Sequence, residues 1–141
     1  MLEDDMNRTI VSEWVEKAEN DLRNAAHTLR LRKNCPTDTV CFHAQQCVEK
    51  YIKALLVLGN VAFPKTHDIA ALLALLPKSC QSKLTVDEQS RLTDYATITR
   101  YPGDYERIPL LEARKAVALA RRVRTFVRKA LPRDGLTPRG R

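Results

Sequence analysis

From about residue 8 to residue 131, every sustained apolar pattern in this chain recurs at about 3.6 residues and none alternates at two. Segments of that kind bury their apolar faces as helices packed on helices. Val11, Trp14, Val15, Ala18, Leu22, Ala25, Ala26 and Leu29 mark the first stripe and predict a helix over about 8–32. Asn34-Cys35-Pro36-Thr37 breaks it, with Thr37 or Asp38 as the next cap. A second helix, about 38–58, carries Cys41, Ala44, Val48, Tyr51, Ile52, Leu55 and Leu58 on one side and stops at Gly59-Asn60. Thr66 is the expected cap of a short third helix, about 67–76, closed by Pro77. Thr85-Val86-Asp87-Glu88 reads as a capping box opening a fourth helix over about 86–99, which Pro102 and Gly103 end. The fifth runs from about Pro109 to Leu131. The pattern predicts an all-α, up-and-down bundle of about five helices.

With 141 residues, of which 44% are hydrophobic, the chain fits one domain with a real core. The bundle is expected over 8–131, between a flexible acidic N-terminus, 1–7, and a disordered basic tail, 132–141. No apolar run reaches the roughly 18 residues of a membrane span. Met1-Leu2-Glu3-Asp4-Asp5 lacks the apolar stretch of a secretory signal, so a cytoplasmic protein is expected. Cys41 and Cys47 lie six residues apart on one helix, too far around it to clasp one ion, and no CxxC occurs. The expectation is free thiols, with no metal and no cofactor.

The charge is unevenly placed. Residues 109–141 hold ten Lys/Arg against Glu112 and Asp134, whereas residues 1–108 hold fourteen Lys/Arg against fifteen acids. The basic excess therefore sits in the last quarter, where Arg114, Arg121 and Arg128 repeat every seven residues on the outer side of the fifth helix. Such a stripe suits nucleic acid or another acidic surface. It equally suits a solvated face near a helix C-terminus.

Three further features stand out. Asp21 lies inside the apolar stripe of the first helix, and an acid facing other helices needs a partner. Arg100, at the end of the fourth helix, is its expected partner. His43, Gln46, Lys50 and Lys53 form a single row on the second helix, a solvated face or the rim of a binding groove. Glu49 and Lys53 make an i,i+4 pair of the sort that contributes roughly 0.3–0.5 kcal/mol on an exposed face. In "TRYPGDY", Arg100, Tyr101, Asp104 and Tyr105 gather a guanidinium, two phenols and a carboxylate, groups that can stack on a base and grip phosphate. Gly-rich phosphate loops, HExxH and GxSxG are absent.

Asp21-Leu22 in the first helix, "FHAQQCVEKYIKALL" over 42–56, "KTHDI" over 65–69 and "TRYPGDY" over 99–105 together resemble the HEPN domain of the small prokaryotic kind. The resemblance is collinear over about 8–131. It implies a helical bundle that is commonly a homodimer and is often paired with a minimal nucleotidyltransferase, as the substrate-binding or toxin half. The family's nuclease branch uses an Arg followed, after four to six residues, by a His. No Arg–His pair here has that spacing: three residues separate Arg23 from His27, and no His follows His67. Tyr105 stands where the catalytic His is expected, and a phenol with a pKa of about 10 is a poor base at neutral pH. The resemblance therefore implies a non-catalytic protein that binds a nucleotide, a nucleic acid or a partner nucleotidyltransferase, one half of a toxin–antitoxin-like pair. A metal-independent RNase toxin, with His43 as a substitute base, and a helical adaptor docking an acidic protein are the alternatives.

Overall fold

A computed structural model describes residues 2–97 and 106–132, with the side chains of 2–4 excepted. Helix α1 spans Leu2–Thr28, α2 Thr37–Leu58, α3 Ile69–Leu73, α4 Lys78–Gln81, α5 Val86–Tyr95 and α6 Leu110–Ala130, and no strand occurs among the described residues. Cross-contacts fix the directions. Asp21 meets His43 and Lys50, while Trp14 meets Lys53, so α1 and α2 are antiparallel. Glu88 meets Arg122 and Tyr95 meets Glu112, so α5 and α6 are antiparallel. The Thr37 hydroxyl donates to the Ile108 carbonyl, and Tyr51 lies against Arg128, so α2 and α6 run together. The result is an up-and-down bundle, as expected, built from α1, α2, α5 and α6, but the described residues form six helices rather than about five, with α3 and α4 as short turns in the connection from α2 to α5.

The caps explain most of the boundaries. Thr85 and Glu88 form the predicted reciprocal box at the start of α5. Asn60, rather than Gly59, takes the left-handed conformation after α2, with φ of 57°, a conformation Asn tolerates better than most residues. The Val61 amide then closes onto the Leu56 carbonyl at 2.9 Å. Asp68, not Thr66, caps α3 by accepting from the Ala71 amide at 3.2 Å, so that helix begins later than its apolar pattern suggested. At the other end of the chain, α1 begins at Leu2 instead of near residue 8. It closes into a 3₁₀ segment, Leu29–Asn34, kinked where Arg32 adopts φ of 54°. The predicted last turn of the fourth helix reaches residues outside those described, as do 133–141 of the tail.

The core runs the length of α2, whose Val40, Cys41, Ala44, Cys47, Val48, Tyr51, Ile52 and Leu56 are all sealed from solvent. α1 faces it with Val11, Val15, Ala18 and Ala25, and α6 with Ala113, Ala120, Val123 and Val127. The alanines let three helices approach closely around α2, which explains why it carries so many buried positions.

Ile52→Ala leaves a void at the centre of this packing and should destabilise the fold by about 2–5 kcal/mol in urea unfolding. Thr85→Ala, which removes only the α5 cap, should cost about 1 kcal/mol. Similar costs for the two would mean that α2 is not the centre of the core.

Candidate functional site

Asp21 is buried between α1 and α2, and α2 supplies both of its partners. His43 Nδ1 lies 2.8 Å from Oδ1, and Lys50 Nζ donates to Oδ2 at 2.6 Å. Because an ionised carboxylate can only accept, His43 carries a proton on Nδ1, and its Nε2 meets no partner among the described residues. Both basic groups remain partly exposed, at 32% and 21% of their side chains. The buried acid thus holds an imidazole and an ammonium in fixed positions at the surface. Arg100, the partner expected for Asp21, lies outside the described residues, as do Tyr101, Asp104 and Tyr105.

A second carboxylate, Glu49, organises the next stretch of α2. Lys53 Nζ donates to one oxygen at 2.9 Å, and His67 Nδ1 and Gln45 Nε2 approach the other at 2.8 and 3.1 Å. Lys53 turns inward rather than joining the exposed row: it is 8% exposed, and its ammonium sits 5.4 Å from the Trp14 ring and 5.8 Å from Phe63. The i,i+4 spacing of Glu49 and Lys53 therefore marks a buried ion pair, not a surface one. Burial raises the Glu49 carboxyl, but hydrogen bonds from Lys53, His67 and Gln45 outweigh it and hold the group below its ordinary range. Gln46, one turn before Lys50 on α2, donates to Gln45 Oε1 at 2.7 Å and so attaches to the Glu49 cluster. His67 stays half exposed, and its Nε2 meets no partner among the described residues.

A third carboxylate, Glu19, ties α1 to both α2 and α6. The Tyr51 hydroxyl and Arg124 Nε donate to its Oε2 at 2.5 and 2.8 Å, and Arg128 Nη1 lies 3.8 Å from Oε1. Burial again opposes ionisation, and the Arg124 and Tyr51 hydrogen bonds prevail, so Glu19 is held low. Tyr51 is pushed up, first by burial and then by Glu19, and the hydrogen bond to Glu19 raises Arg124. Arg128 is therefore half-buried and partly committed to Glu19, whereas Arg114 and Arg121 are exposed. The heptad stripe on α6 does not form one uniform face.

Sequence reasoning singled out Asp21 and the row His43, Gln46 and Lys50 but expected Arg100 as the partner of Asp21, and it missed the parts played by Glu19, Gln45, Glu49, Tyr51, His67 and Arg124. Glu49 and Gln45 show a signal in retrospect: they fall on the wall of α2 next to its apolar stripe. Among the described residues no group of three His, Cys, Asp or Glu is placed to hold a metal ion. Cys35, Cys41 and Cys47 are buried free thiols. Burial pushes Cys41 up to about 12 and raises Cys47 as well, which makes both inert. No described helix is long and apolar enough to cross a membrane.

The family model of the HEPN domain matches residues 11–130. A Methanocaldococcus jannaschii protein named "Putative toxin MJ1304" is 30% identical over 100 residues, which spans 65% of this chain and 63% of that relative. The crystal structure of TT1696 from Thermus thermophilus is similar with a TM-score of 0.65 and 34% identity, covering 86% of this chain and 98% of that one. The crystal structure of ST0689, described as an archaeal HEPN homologue, gives the same TM-score at 25% identity, covering 85% and 96%.

Glu19 and Glu49 both titrate lower in the folded chain than in the unfolded one, where a Glu has a pKa of about 4.3. Their contribution to stability is complete above that value and is lost as pH falls through the lower folded values. Urea midpoints should therefore drop steeply on acidification below about pH 4.5. Glu49→Gln should flatten that acid limb while costing roughly 3 kcal/mol at neutral pH, because Lys53 loses its charge partner. An unchanged acid slope in the variant would show that the Glu49 cluster is not formed in solution.

Proposed function

The chain belongs to the HEPN domain family, and from that membership we propose that it is a non-catalytic binding protein, one half of a toxin–antitoxin-type pair, whose α2 surface recognises a nucleotide in company with a minimal nucleotidyltransferase. The observation that carries this reading is the Asp21 cluster. A buried acid that fixes a histidine and a lysine at the surface pre-arranges an ammonium donor for phosphate beside an imidazole, at a low entropic cost on binding. Gln46 beside them adds an amide for a base edge or a sugar hydroxyl. The similarity to a protein named as a toxin supports the pairing. The missing Arg-x4-6-His spacing favours binding over cleavage.

Self-association belongs to the same proposal. Met6, Ile10 and Trp14 follow one another at four-residue spacing on α1, and Met6 and Ile10 are exposed. Phe63 and the exposed Val61 lie beside them at the end of α2, where Lys53 sits between the Trp14 and Phe63 rings. This apolar end suits contact with a second copy.

One observation favours a second reading. Glu49 orients His67 by Nδ1, with Nε2 unpartnered among the described residues, the arrangement that prepares an imidazole for proton transfer. Metal-independent RNA cleavage would draw on His67 or His43, with Arg100 as the charge partner.

Calorimetric titration with a nucleoside triphosphate should show saturable binding that Lys50→Ala weakens about tenfold, or roughly 1.4 kcal/mol. His43→Ala should act in the same direction. If no nucleotide binds, the α2 reading fails. Metal-free RNA cleavage abolished by His67→Ala or Arg100→Ala would install the nuclease in its place. Light scattering should give a particle of twice the 16.1 kDa chain mass.

A further inference from the structure

Asp21 is engaged at both oxygens, by His43 Nδ1 at 2.8 Å and by Lys50 Nζ at 2.6 Å. The two basic groups differ in what they can offer a ligand. An ammonium has three N–H bonds, so Lys50 keeps donors to spare after serving Asp21. A neutral imidazole that donates through Nδ1 presents a lone pair at Nε2, and a lone pair turned toward a phosphate oxygen repels it. A proton added at Nε2 reverses that effect: the ring then donates outward with a positive charge, while Nδ1 keeps its bond to Asp21. Histidine is the side chain whose charge ordinarily changes between about pH 5 and 8.

The surroundings let that change reach a ligand. The His43 side chain is 32% exposed and that of Asp21 only 10%, so the ring can be approached while its anchor stays covered. Phe42 packs edge-on against the ring, with centroids 5.5 Å apart, and limits its rotation. Among the described residues, α1 brings Asp21 to the ring, with the exposed Lys17 one turn before it. α2 brings Lys50, two turns on, whereas Thr39, Val40, Gln46 and Cys47, each one turn from His43, are uncharged. Asp21 favours the charged ring and the two lysines oppose it. An anion seated beside Lys50 offsets that opposition, so its binding and proton uptake by the ring support each other.

We propose that His43 is a proton-operated second donor beside Lys50, so that the α2 surface grips phosphate more tightly as the solution becomes mildly acidic. This inference rests on the nucleotide reading of α2 and adds its regulation. His67 supplies the comparison within the same chain. Its carboxylate, Glu49, is shared with Lys53, which is turned inward, so no surface ammonium accompanies that ring. Proton uptake at His67 therefore adds an isolated charge, whereas proton uptake at His43 completes a pair of donors held by one buried acid.

The test is calorimetric titration of the full chain with adenosine triphosphate at intervals from about pH 8 to about pH 5.5, the range in which a histidine changes charge. The parent is compared with His43→Gln. A terminal phosphate loses its second charge at about pH 6, but both proteins meet the same nucleotide, so the ratio of their affinities isolates the ring. One added charge-assisted hydrogen bond should raise that ratio about tenfold between the two ends of the series. His27→Gln, at an exposed position of α1, should track the parent throughout. Linkage supplies a second readout that needs no variant of the site. In proton resonance spectra of the parent, saturating nucleotide should raise the titration midpoint of the His43 ring by about one pH unit and leave that of His67 in place. This readout holds even if His43→Gln fails to fold. A constant affinity ratio, or an unmoved His43 midpoint with nucleotide bound, would overturn the proposal and leave nucleotide binding at α2 standing. No binding at any pH would remove the α2 reading and this inference with it.

Discussion

Carboxylates withdrawn from water against α2 must each be matched there, and the bundle is organised around that requirement. An unpaired buried charge costs several kcal/mol, so every such acid recruits a basic or hydrogen-bonding partner from a neighbouring element. Glu19 brings Tyr51 of α2 together with Arg124 and Arg128 of α6. Asp21 brings His43 and Lys50. Glu49 brings Lys53, Gln45 and His67, the last from the link that follows α2. The apolar packing of alanines and valines supplies most of the stability, but it permits many rotations of one helix against the next. The ion pairs select one of them, because only one registers all three acids with their partners.

The same pairing connects fold to function. An acid placed below the surface can satisfy itself while leaving its partners half in water, which is the case for His43 and Lys50. It can instead draw its partner fully inside, as Glu49 does with Lys53. The first arrangement makes a pre-ordered ammonium and imidazole suited to a ligand; the second makes a structural pin between the Trp14 and Phe63 rings. Both draw on one helix, α2. A ligand at the Lys50 end would therefore meet a surface whose position is set by the core, and Arg124 of α6 is set by Glu19 in the same way.

Much of this was legible in the amino-acid order. Helix periodicity reports burial on one face, and that is a local property, so α1, α2, α5 and α6 were readable, as was the Thr85–Glu88 box. The misplacements were also local in origin. Thr66 and Asp68 are both competent caps two residues apart, and only the packing of Ile69 and Leu72 decides that Asp68 serves. Asn60 and Gly59 both favour a helix stop, and the chain places the left-handed turn at Asn60.

Asp21 was conspicuous because an acid inside an apolar stripe violates its own helix's pattern, and the row His43, Gln46, Lys50 was visible because those residues share a face. Glu49 and Lys53 were read as an ordinary surface pair, since spacing along a helix is identical whether the pair is wet or dry. Their burial comes from α1 and the 59–68 link closing over them, and that is a property of three segments at once. Arg128 lost its place on the outer stripe for the same reason. Periodicity along one chain segment fixes which side of a helix faces inward. It carries no information about which charge on a neighbouring helix, many residues away, will stand opposite, because that depends on the rotation and register chosen when all the buried charges are paired together.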